Sequence, residues 1–208
     1  MNTRQITASI VVDCTVDDVV KIITDYNNLV THVPNLVQSY LVPSPNINGI
    51  RLFQEGSQKI IGFDFRASLT MDMVEDFDED DRTKVLRFKL VESKMFSAFD
   101  GYWSAKHHSR VRKYDNLKKE FTYDYKTLLQ YSVYVKPRGP VPVIALEWRI
   151  KEDVPTNLQA VKIAAEKLKR QAENLISINP GMAFGDIAQN FNSGFDYWGQ
   201  DETLGSYI

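Results

Sequence analysis

The sequence has one cysteine, few histidines and no long apolar run. A single cysteine, Cys14, excludes an internal disulfide and a cysteine-rich metal site, and it is typical of a protein from a reducing compartment. No stretch approaches the ~18 consecutive apolar residues of a membrane span. The first residues lack the apolar centre of a secretory signal. We therefore expect a soluble, intracellular protein.

The residue types needed for common chemistry are also scarce. The histidines are His32, His107 and His108, and the last two would point to opposite faces of a strand. No nucleophile with a neighbouring base and no glycine-rich phosphate loop is present. The sequence therefore predicts no catalytic residue, no metal ligand and no cofactor. The net charge of -2 argues against a nucleic-acid partner.

What is present is enough apolar sequence for one domain. The chain has 208 residues and 43% hydrophobic content, which allows a sizeable core. Residues 6–14 alternate as a first strand. Thr15 and Asp18 then form a capping box that predicts a helix to about Tyr26, and a second short helix is predicted over residues 28–32.

From Leu36 the apolar period is two, which predicts strands joined by polar turns and hence an antiparallel sheet. The predicted strands are Val37–Val42, Ile50–Ile60, Gly62–Phe77, Thr83–Val91, Ala98–Arg110, Glu120–Lys136 and part of Ile144–Lys151. One long amphipathic helix follows, beginning near Asp153 with Pro155 in its first turn. Its apolar stripe has only the sheet to pack against, so a hollow between the two is expected.

Several segments carry a family resemblance. They are Thr24-Asp-Tyr-Asn-Asn-Leu29, His32-Val-Pro-Asn-Leu36, Arg51-Leu-Phe-Gln54, Phe99-Asp-Gly-Tyr-Trp103, Leu129-Gln-Tyr-Ser-Val-Tyr-Val-Lys-Pro137, and Leu146-Glu-Trp-Arg-Ile150 with Asn157-Leu158. In this order they resemble the polyketide cyclase/dehydrase and coenzyme Q-binding (Coq10-type) START-like superfamily, also called SRPBCC or Bet v 1-like. The likeness covers about residues 5 to 176 and is closest to plastid and cyanobacterial members.

The resemblance implies an α+β helix-grip fold, in which a curved seven-stranded antiparallel sheet grips a long C-terminal helix and two short helices follow strand 1. Residues 1–176 would form this domain, and residues 177–208 would form an irregular, aromatic-rich tail. Members of the superfamily hold lipids, quinones, polyketides or plant hormones in the cavity between sheet and helix. The resemblance also makes a plastid, besides the cytoplasm, the expected location.

We predict binding and transport, or chaperoning, of a hydrophobic small molecule such as a lipid, quinone, isoprenoid or pigment. The sheet residues predicted to line its cavity are Phe63, Phe65, Leu69, Met71, Phe88, Leu90, Phe99, Trp103, Tyr123, Tyr125, Tyr131 and Val133. The helix residues predicted to close it are Leu158, Val161, Ala165 and Leu168. Two alternatives stay open: an aromatase/cyclase-type enzyme acting on a polyketide-like substrate, and a protein-interaction module that uses the aromatic tail.

Two further segments suggest partners. Residues Lys106–Lys119 carry six Lys or Arg with interleaved His and Tyr, which fits either an anionic membrane surface or a plain exposed hairpin. The tail holds six aromatic residues after Ile176, too many for an ordinary solvated linker. We expect the tail to pack along the body, to cover the cavity mouth, or to bind a protein partner.

Overall fold

The computed structural model describes residues 3–60, 63–77, 82–116, 119–138 and 143–178, with the side chains of 58–60, 63–65, 115, 143–150 and 176–178 left out of the description. The chain divides into two compact units, residues 1–166 and 167–208. The sheet and most of the helices belong to the first unit. In the second, the described residues are the last turns of the C-terminal helix.

Seven strands form one antiparallel sheet in the order β1-β7-β6-β5-β4-β3-β2. The strands are β1 Arg4–Val12, β2 Leu36–Val42, β3 Ile50–Ile60, β4 Phe63–Asp76, β5 Thr83–Ser93, β6 Phe96–Asp115 and β7 Glu120–Pro137. The helices are α1 Val16–Ile23, α2 Leu29–His32 and α3 Val143–Ile178. The predicted arrangement of seven antiparallel strands, two short helices after β1 and a long C-terminal helix is confirmed.

α1 begins where its capping box predicts. The backbone N–H of Asp18 donates to the Thr15 hydroxyl at 3.2 Å, and the backbone N–H of Thr15 donates to the Asp18 carboxylate at 3.1 Å. Just before the helix, the Thr127 hydroxyl of β7 donates to the carbonyl of Cys14 at 2.9 Å. Cys14 is completely buried. These bonds tie the start of α1 to the sheet.

The strand predicted in Ile144–Lys151 is wrong, because this segment is the first part of α3. A short apolar run fits either a strand or a buried helix, and period alone cannot separate them. Here Leu146, Ile150 and Val154 are spaced by four and continue the helical pattern backwards. Pro155 consequently lies inside α3 rather than in its first turn, and it removes one N–H from the helical hydrogen-bond ladder.

Within the first unit, α3 packs on the sheet through one face. The apolar side chains on this face are 3% exposed or less; they are Val154, Leu158, Val161 and Ala165. The Lys162 ammonium donates to the carbonyl of Val11 at 2.8 Å, and the backbone N–H of Asp13 donates to the Glu166 carboxylate at 3.0 Å. α3 is therefore held against the end of β1, an edge strand, by hydrogen bonds as well as by apolar contacts.

The hairpin of β6 and β7 is much longer than its neighbours. β5 pairs with β6 from Gly101 to Lys106, and β1 pairs with β7 from Thr127 to Val135. Beyond these limits, residues 109–115 and 120–126 pair with each other and with no other described strand. We call this two-stranded segment the ribbon. None of the described helices combines the length and apolarity needed to cross a bilayer.

Candidate binding site between sheet and helix

The register of the strands defines the face of the sheet that α3 covers. Ala8 of β1 lies opposite Tyr131 of β7, and Tyr131 lies opposite Trp103 of β6. Directly paired residues of antiparallel strands point to the same side of the sheet. This row faces α3, because Ala8 and Leu158 line the same cleft. We call this side the concave face.

Five aromatic side chains, the concave aromatic cluster, gather on this face: Phe88, Phe96, Phe99, Trp103 and Tyr131. Neighbouring ring centroids are 4.4 to 5.8 Å apart, a separation at which aromatic pairs attract each other beyond simple burial. Phe88 and Tyr131 are buried, whereas Phe99 and Trp103 are only half-buried. Protein atoms therefore leave part of the cluster uncovered.

Phe96 belongs to the cluster although strict alternation along β6 would place it opposite to Phe99. The register of β6 against β7 shifts between Phe96 and Ala98, and such a bulge moves one residue to the other face. Phe96 is consequently 7% exposed. Phe96 is not predictable as a site residue, because nothing in the local pattern marks a bulge.

Tyr131 brings a polar group to the apolar face. Its ring contacts Trp103 and Phe88, and no described side chain or backbone group hydrogen-bonds to its hydroxyl. Burial alone raises the pKa of Tyr131. The phenol therefore stays protonated in any physiological buffer and can donate a hydrogen bond to a ligand oxygen.

A cleft of about 660 Å³ runs between β1 and α3. It is lined by Ala8, Ser9, Ile10, Pro34, Pro155, Thr156, Leu158, Gln159, Ala160 and Ile163. This volume lies within the usual range for small-molecule sites, ~300–1,000 Å³, and mostly apolar walls with a few polar groups are typical of them. Ala8, in the wall of this cleft, pairs across the strands with Tyr131 of the concave aromatic cluster.

The described part of α3 also carries an unsatisfied polar atom. The side-chain Oδ1 of Asn157 is buried and accepts no hydrogen bond from the described residues. Asn157 lies three residues after Val154 and four before Val161, both of which are buried against the sheet. A buried carbonyl oxygen without a donor costs ~1–3 kcal/mol. Asn157 is therefore a buried acceptor on α3 without a donor, next in sequence to Leu158 of the cleft wall.

A second polar group, missed from the sequence, links the short helices to the sheet. The hydroxyl of Tyr26 donates to the Glu75 carboxylate at 2.6 Å, and burial together with this contact raises the pKa of Tyr26. The hydroxyl of Ser39 donates to the Tyr26 carbonyl at 2.6 Å. The Asp25 carboxylate lies 3.5 Å from Nε2 of His32 and accepts a hydrogen bond from the side-chain amide of Asn28. Asp25 therefore braces the turn between α1 and α2.

Few groups suited to catalysis or metal binding lie in the described part of the chain. No three His, Cys, Asp or Glu side chains there are grouped closely enough to hold a metal ion. Asp18 is the one buried acidic side chain in the same described residues, and its carboxylate is bonded to Thr15.

Comparison with known proteins rests on structure. No family model matches the sequence, and no curated protein matches it significantly. The ZhuI aromatase/cyclase from Streptomyces sp. R1128 aligns at 15% identity and a TM-score of 0.57, covering 79% of this chain and 94% of that one. The STAR-related lipid transfer protein from Xanthomonas axonopodis, as a fragment, aligns at 15% identity and 0.59, covering 79% and 87%. A START superfamily protein from Mycobacterium smegmatis aligns at 13% identity and 0.57, covering 79% and 98%.

The fold is the START-like helix-grip fold. At these identities the likeness establishes architecture and not activity, so the ligand and the role need separate arguments. The resemblance to START-like proteins is confirmed at the level of fold. The finer likeness to Coq10-type and plastid proteins stays a prediction.

In this helix-grip domain the predicted cavity residues whose side chains are described fall into three groups. Buried in the structure are Leu69, Met71, Phe88, Tyr131, Val133, Leu158, Val161 and Ala165. Half-buried are Leu90, Phe99, Trp103, Tyr125 and Leu168, the last of which belongs to the second unit. Tyr123 lies apart on the ribbon and is 42% exposed. The side chains of Phe63 and Phe65 lie outside the description.

Proposed function

We propose that this protein binds and carries a hydrophobic small molecule between the concave face and α3. One observation carries the proposal: Ala8, in the wall of the 660 Å³ cleft, stands directly opposite Tyr131 of the concave aromatic cluster. A molecule entering the cleft would pass over Ala8 and reach half-buried aromatic rings. Moving an apolar ligand from water to such walls is favourable by ~25 cal/mol per Å².

The polar atoms of the site narrow the ligand class. The Tyr131 hydroxyl can donate to a carbonyl or hydroxyl oxygen, and Asn157 on α3 has a buried acceptor that lacks a donor. A largely apolar body with one oxygen-bearing end suits apolar walls with so few polar groups. A lipid, quinone, isoprenoid or pigment has this composition.

Neighbours with the same fold include a lipid transfer protein and an aromatase/cyclase by name. A carrier fits the described side chains better than a cyclase does, because no described carboxylate is buried on the concave face and the raised pKa of Tyr131 makes its phenol a weak acid near neutral pH. The one buried acid among the described residues, Asp18, accepts a hydrogen bond from Thr15, the N-cap of α1. Two predictions remain: a cytoplasmic or plastid location, and a protein partner for residues 177–208. Of these residues, only 177 and 178 are described.

The test is to fill the cleft. Ala8→Phe would place a ring in the gap in front of Tyr131, and Gln159→Trp would narrow the cleft from an exposed position on α3. Gln5→Phe adds the same ring to the opposite face of β1, where Gln5 is exposed, and serves as the matched control. Uptake of the neutral fluorescent probe N-phenyl-1-naphthylamine is measured, and solvent extracts of protein from its native source are examined by mass spectrometry.

We expect probe uptake at micromolar concentration by the wild type and by Gln5→Phe. Both cleft variants should weaken uptake at least tenfold with little change in melting temperature. A lipid-like species should appear in the extract of the wild type. A wild-type protein that takes up no probe and releases no such species would overturn the proposal.

A further inference from the structure

One face of the ribbon is made entirely of aromatic and arginine side chains. Strand pairing sets Arg110 opposite Tyr125, Arg112 opposite Tyr123 and Tyr114 opposite Phe121. All six therefore point to one side. The bulge between His107 and Ser109 of β6 sets this register. We call this side the arginine–aromatic face.

The arginines are held against the rings. The guanidinium carbon of Arg112 lies 3.4 Å from the ring centroid of Phe121, and that of Arg110 lies 5.1 Å from the centroid of Tyr123. Tyr114 meets Phe121 edge-on at 5.1 Å. Cation–π contacts of this kind position a guanidinium without neutralising it. Its hydrogen-bond donors stay available to an anion.

This face is exposed although it is rich in rings. Tyr114 is 51%, Phe121 53% and Tyr123 42% exposed. Neither β5 nor β1 extends far enough to flank these residues. Exposed aromatic residues clustered in this way mark an interaction surface. The ribbon therefore ends in an uncovered amphipathic surface rather than in part of the core.

Charge is concentrated in the same segment. Residues 106–126 contain seven Lys or Arg and three Asp or Glu, whereas the whole chain has a net charge of -2. Of the three acids, Asp124 lies on the other face and pairs with Lys113. Asp115 and Glu120 are a cross-strand pair beyond Tyr114 and Phe121. Among the side chains that the structure describes, the arginine–aromatic face consequently presents cations and no carboxylate.

We propose that the arginine–aromatic face docks the protein on an anionic phospholipid bilayer. The guanidinium groups of Arg110 and Arg112 bind lipid phosphates, and the rings of Tyr114, Phe121 and Tyr123 lie at headgroup depth, where aromatic side chains are favoured. The proposal rests on the proposed function, because a carrier of a hydrophobic ligand has to exchange it with a membrane. The ribbon supplies the contact that such exchange requires.

Single-stranded nucleic acid is the other polyanion that arginines and aromatic rings recognise. It binds by stacking bases on open ring faces. Here each of Phe121 and Tyr123 has a guanidinium over its ring, which occupies a stacking platform. Lipid phosphates need no stacking platform and use the outward donors of the same guanidinium groups. The geometry therefore favours a bilayer.

The test is flotation of the full chain with vesicles of phosphatidylcholine alone or of phosphatidylcholine with 30% phosphatidylglycerol. The ribbon variant is R110Q/R112Q, and F121S/Y123S removes the rings while keeping the charge. The matched control R66Q/R87Q removes two arginines that lie on β4 and β5, with side chains 66% and 53% exposed. Circular dichroism and melting temperature establish that each variant is folded.

We expect the wild type to float with the anionic vesicles and not with the neutral ones. R110Q/R112Q should lower partitioning onto the anionic vesicles roughly thirtyfold. Each arginine contributes ~1 kcal/mol near such a surface, and about 1.4 kcal/mol corresponds to a tenfold change. F121S/Y123S should lower partitioning at least threefold, and R66Q/R87Q should stay within threefold of the wild type. If R110Q/R112Q and R66Q/R87Q lost vesicle partitioning equally, the effect would come from net charge, and the proposal would be overturned. Absence of wild-type binding would also overturn it, as would tighter binding of single-stranded oligothymidylate that R110Q/R112Q abolishes.

Failure of this proposal is separable from failure of the carrier function. R110Q/R112Q should take up N-phenyl-1-naphthylamine as the wild type does, because the ribbon lies apart from the cleft residues. Normal uptake without vesicle binding would remove the docking proposal alone. Vesicle binding without uptake would remove the carrier function and leave a membrane-binding ribbon without a ligand to exchange.

Discussion

The ring of Phe88 lies directly over Gly101 on the concave face. A Cβ added at Gly101 would lie 2.6 Å from the ring carbon Cζ of Phe88, and closer still to the carbonyl oxygen of Ser132. Glycine at this position of β6 thus lets the Phe88 ring approach the strand backbone. This contact lies within the concave aromatic cluster.

Gly101→Ala should therefore destabilise the domain. Overpacking of a filled core costs typically ~1–3 kcal/mol, which thermal or urea unfolding would detect. Gly56→Ala is the matched control, because a Cβ at Gly56 would come no nearer than 3.4 Å to the carbonyl of Asn35. Equal loss in both variants would mean that strand glycines matter for some other reason than the close approach of Phe88 and the Ser132 carbonyl to Gly101.

Tyr131→Phe should separate packing from polar recognition. The substitution keeps the ring that contacts Trp103 and removes only the hydroxyl. For ligands with an oxygen at one end we expect affinity to fall ~2–12-fold, the value of one hydrogen bond of ~0.5–1.5 kcal/mol, with no loss for a pure hydrocarbon. Tyr102→Phe, whose hydroxyl accepts from Gln130 at 3.3 Å, is the control in titrations by fluorescence.

The pH dependence of that binding follows from the raised pKa of Tyr131. An ordinary tyrosine ionises near pH 10, whereas the buried phenol stays protonated above that value. Binding of a neutral oxygen-bearing ligand should consequently be unchanged between pH 7 and pH 10. A loss centred near pH 10 would show that the hydroxyl is solvated and not buried.

Lys162→Met should loosen α3 from β1. The change removes the bond from the ammonium to the carbonyl of Val11 while preserving the aliphatic stem of the side chain. A stability loss of ~1–2 kcal/mol is expected for a charged hydrogen bond that is partly buried. Lys21→Met removes the same charge from an exposed position on α1, and its melting temperature should match that of the wild type.

Asp72→Asn should remove a pH-dependent contribution to stability. Two hydrogen bonds from the Arg51 guanidinium, at 2.6 and 2.9 Å, lower the pKa of Asp72. A carboxyl whose folded pKa is lowered stabilises the fold above its unfolded pKa near 4, and this stabilisation is lost as pH falls through the folded value. The wild type and the variant should therefore differ in melting temperature at pH 7, and the difference should shrink as the pH falls below about 4.

Much of the architecture was predictable from particular residues. The reciprocal cap of Thr15 and Asp18 fixes the start of α1, because no other local partners satisfy those N–H groups so well. Alternation along β4 placed Leu69, Met71 and Met73 on one face, where all three are buried. These signals are local, and local geometry decides them.

The site was predictable only in part. The concave row of Trp103 and Tyr131 was expected, but the cleft is lined mainly by β1 and α3, and Leu158 is the one predicted residue in its wall. Ala8 and Asn157 have no local signal as site residues. A small side chain leaves a gap, and a buried amide stays unsatisfied, only in relation to distant elements.

The sequence by itself determined the alternating strands, the capped α1 and the amphipathic α3, since the spacing of apolar residues and the capping groups act within a few residues of chain. Tertiary structure alone decided three features. Phe96 points to the concave face of the sheet, Ile144–Lys151 is part of a helix, and Tyr123 lies on an uncovered ribbon. Each of these depends on strand register or on where a neighbouring strand ends. Those properties belong to pairs of segments far apart in the chain, and no single segment encodes them.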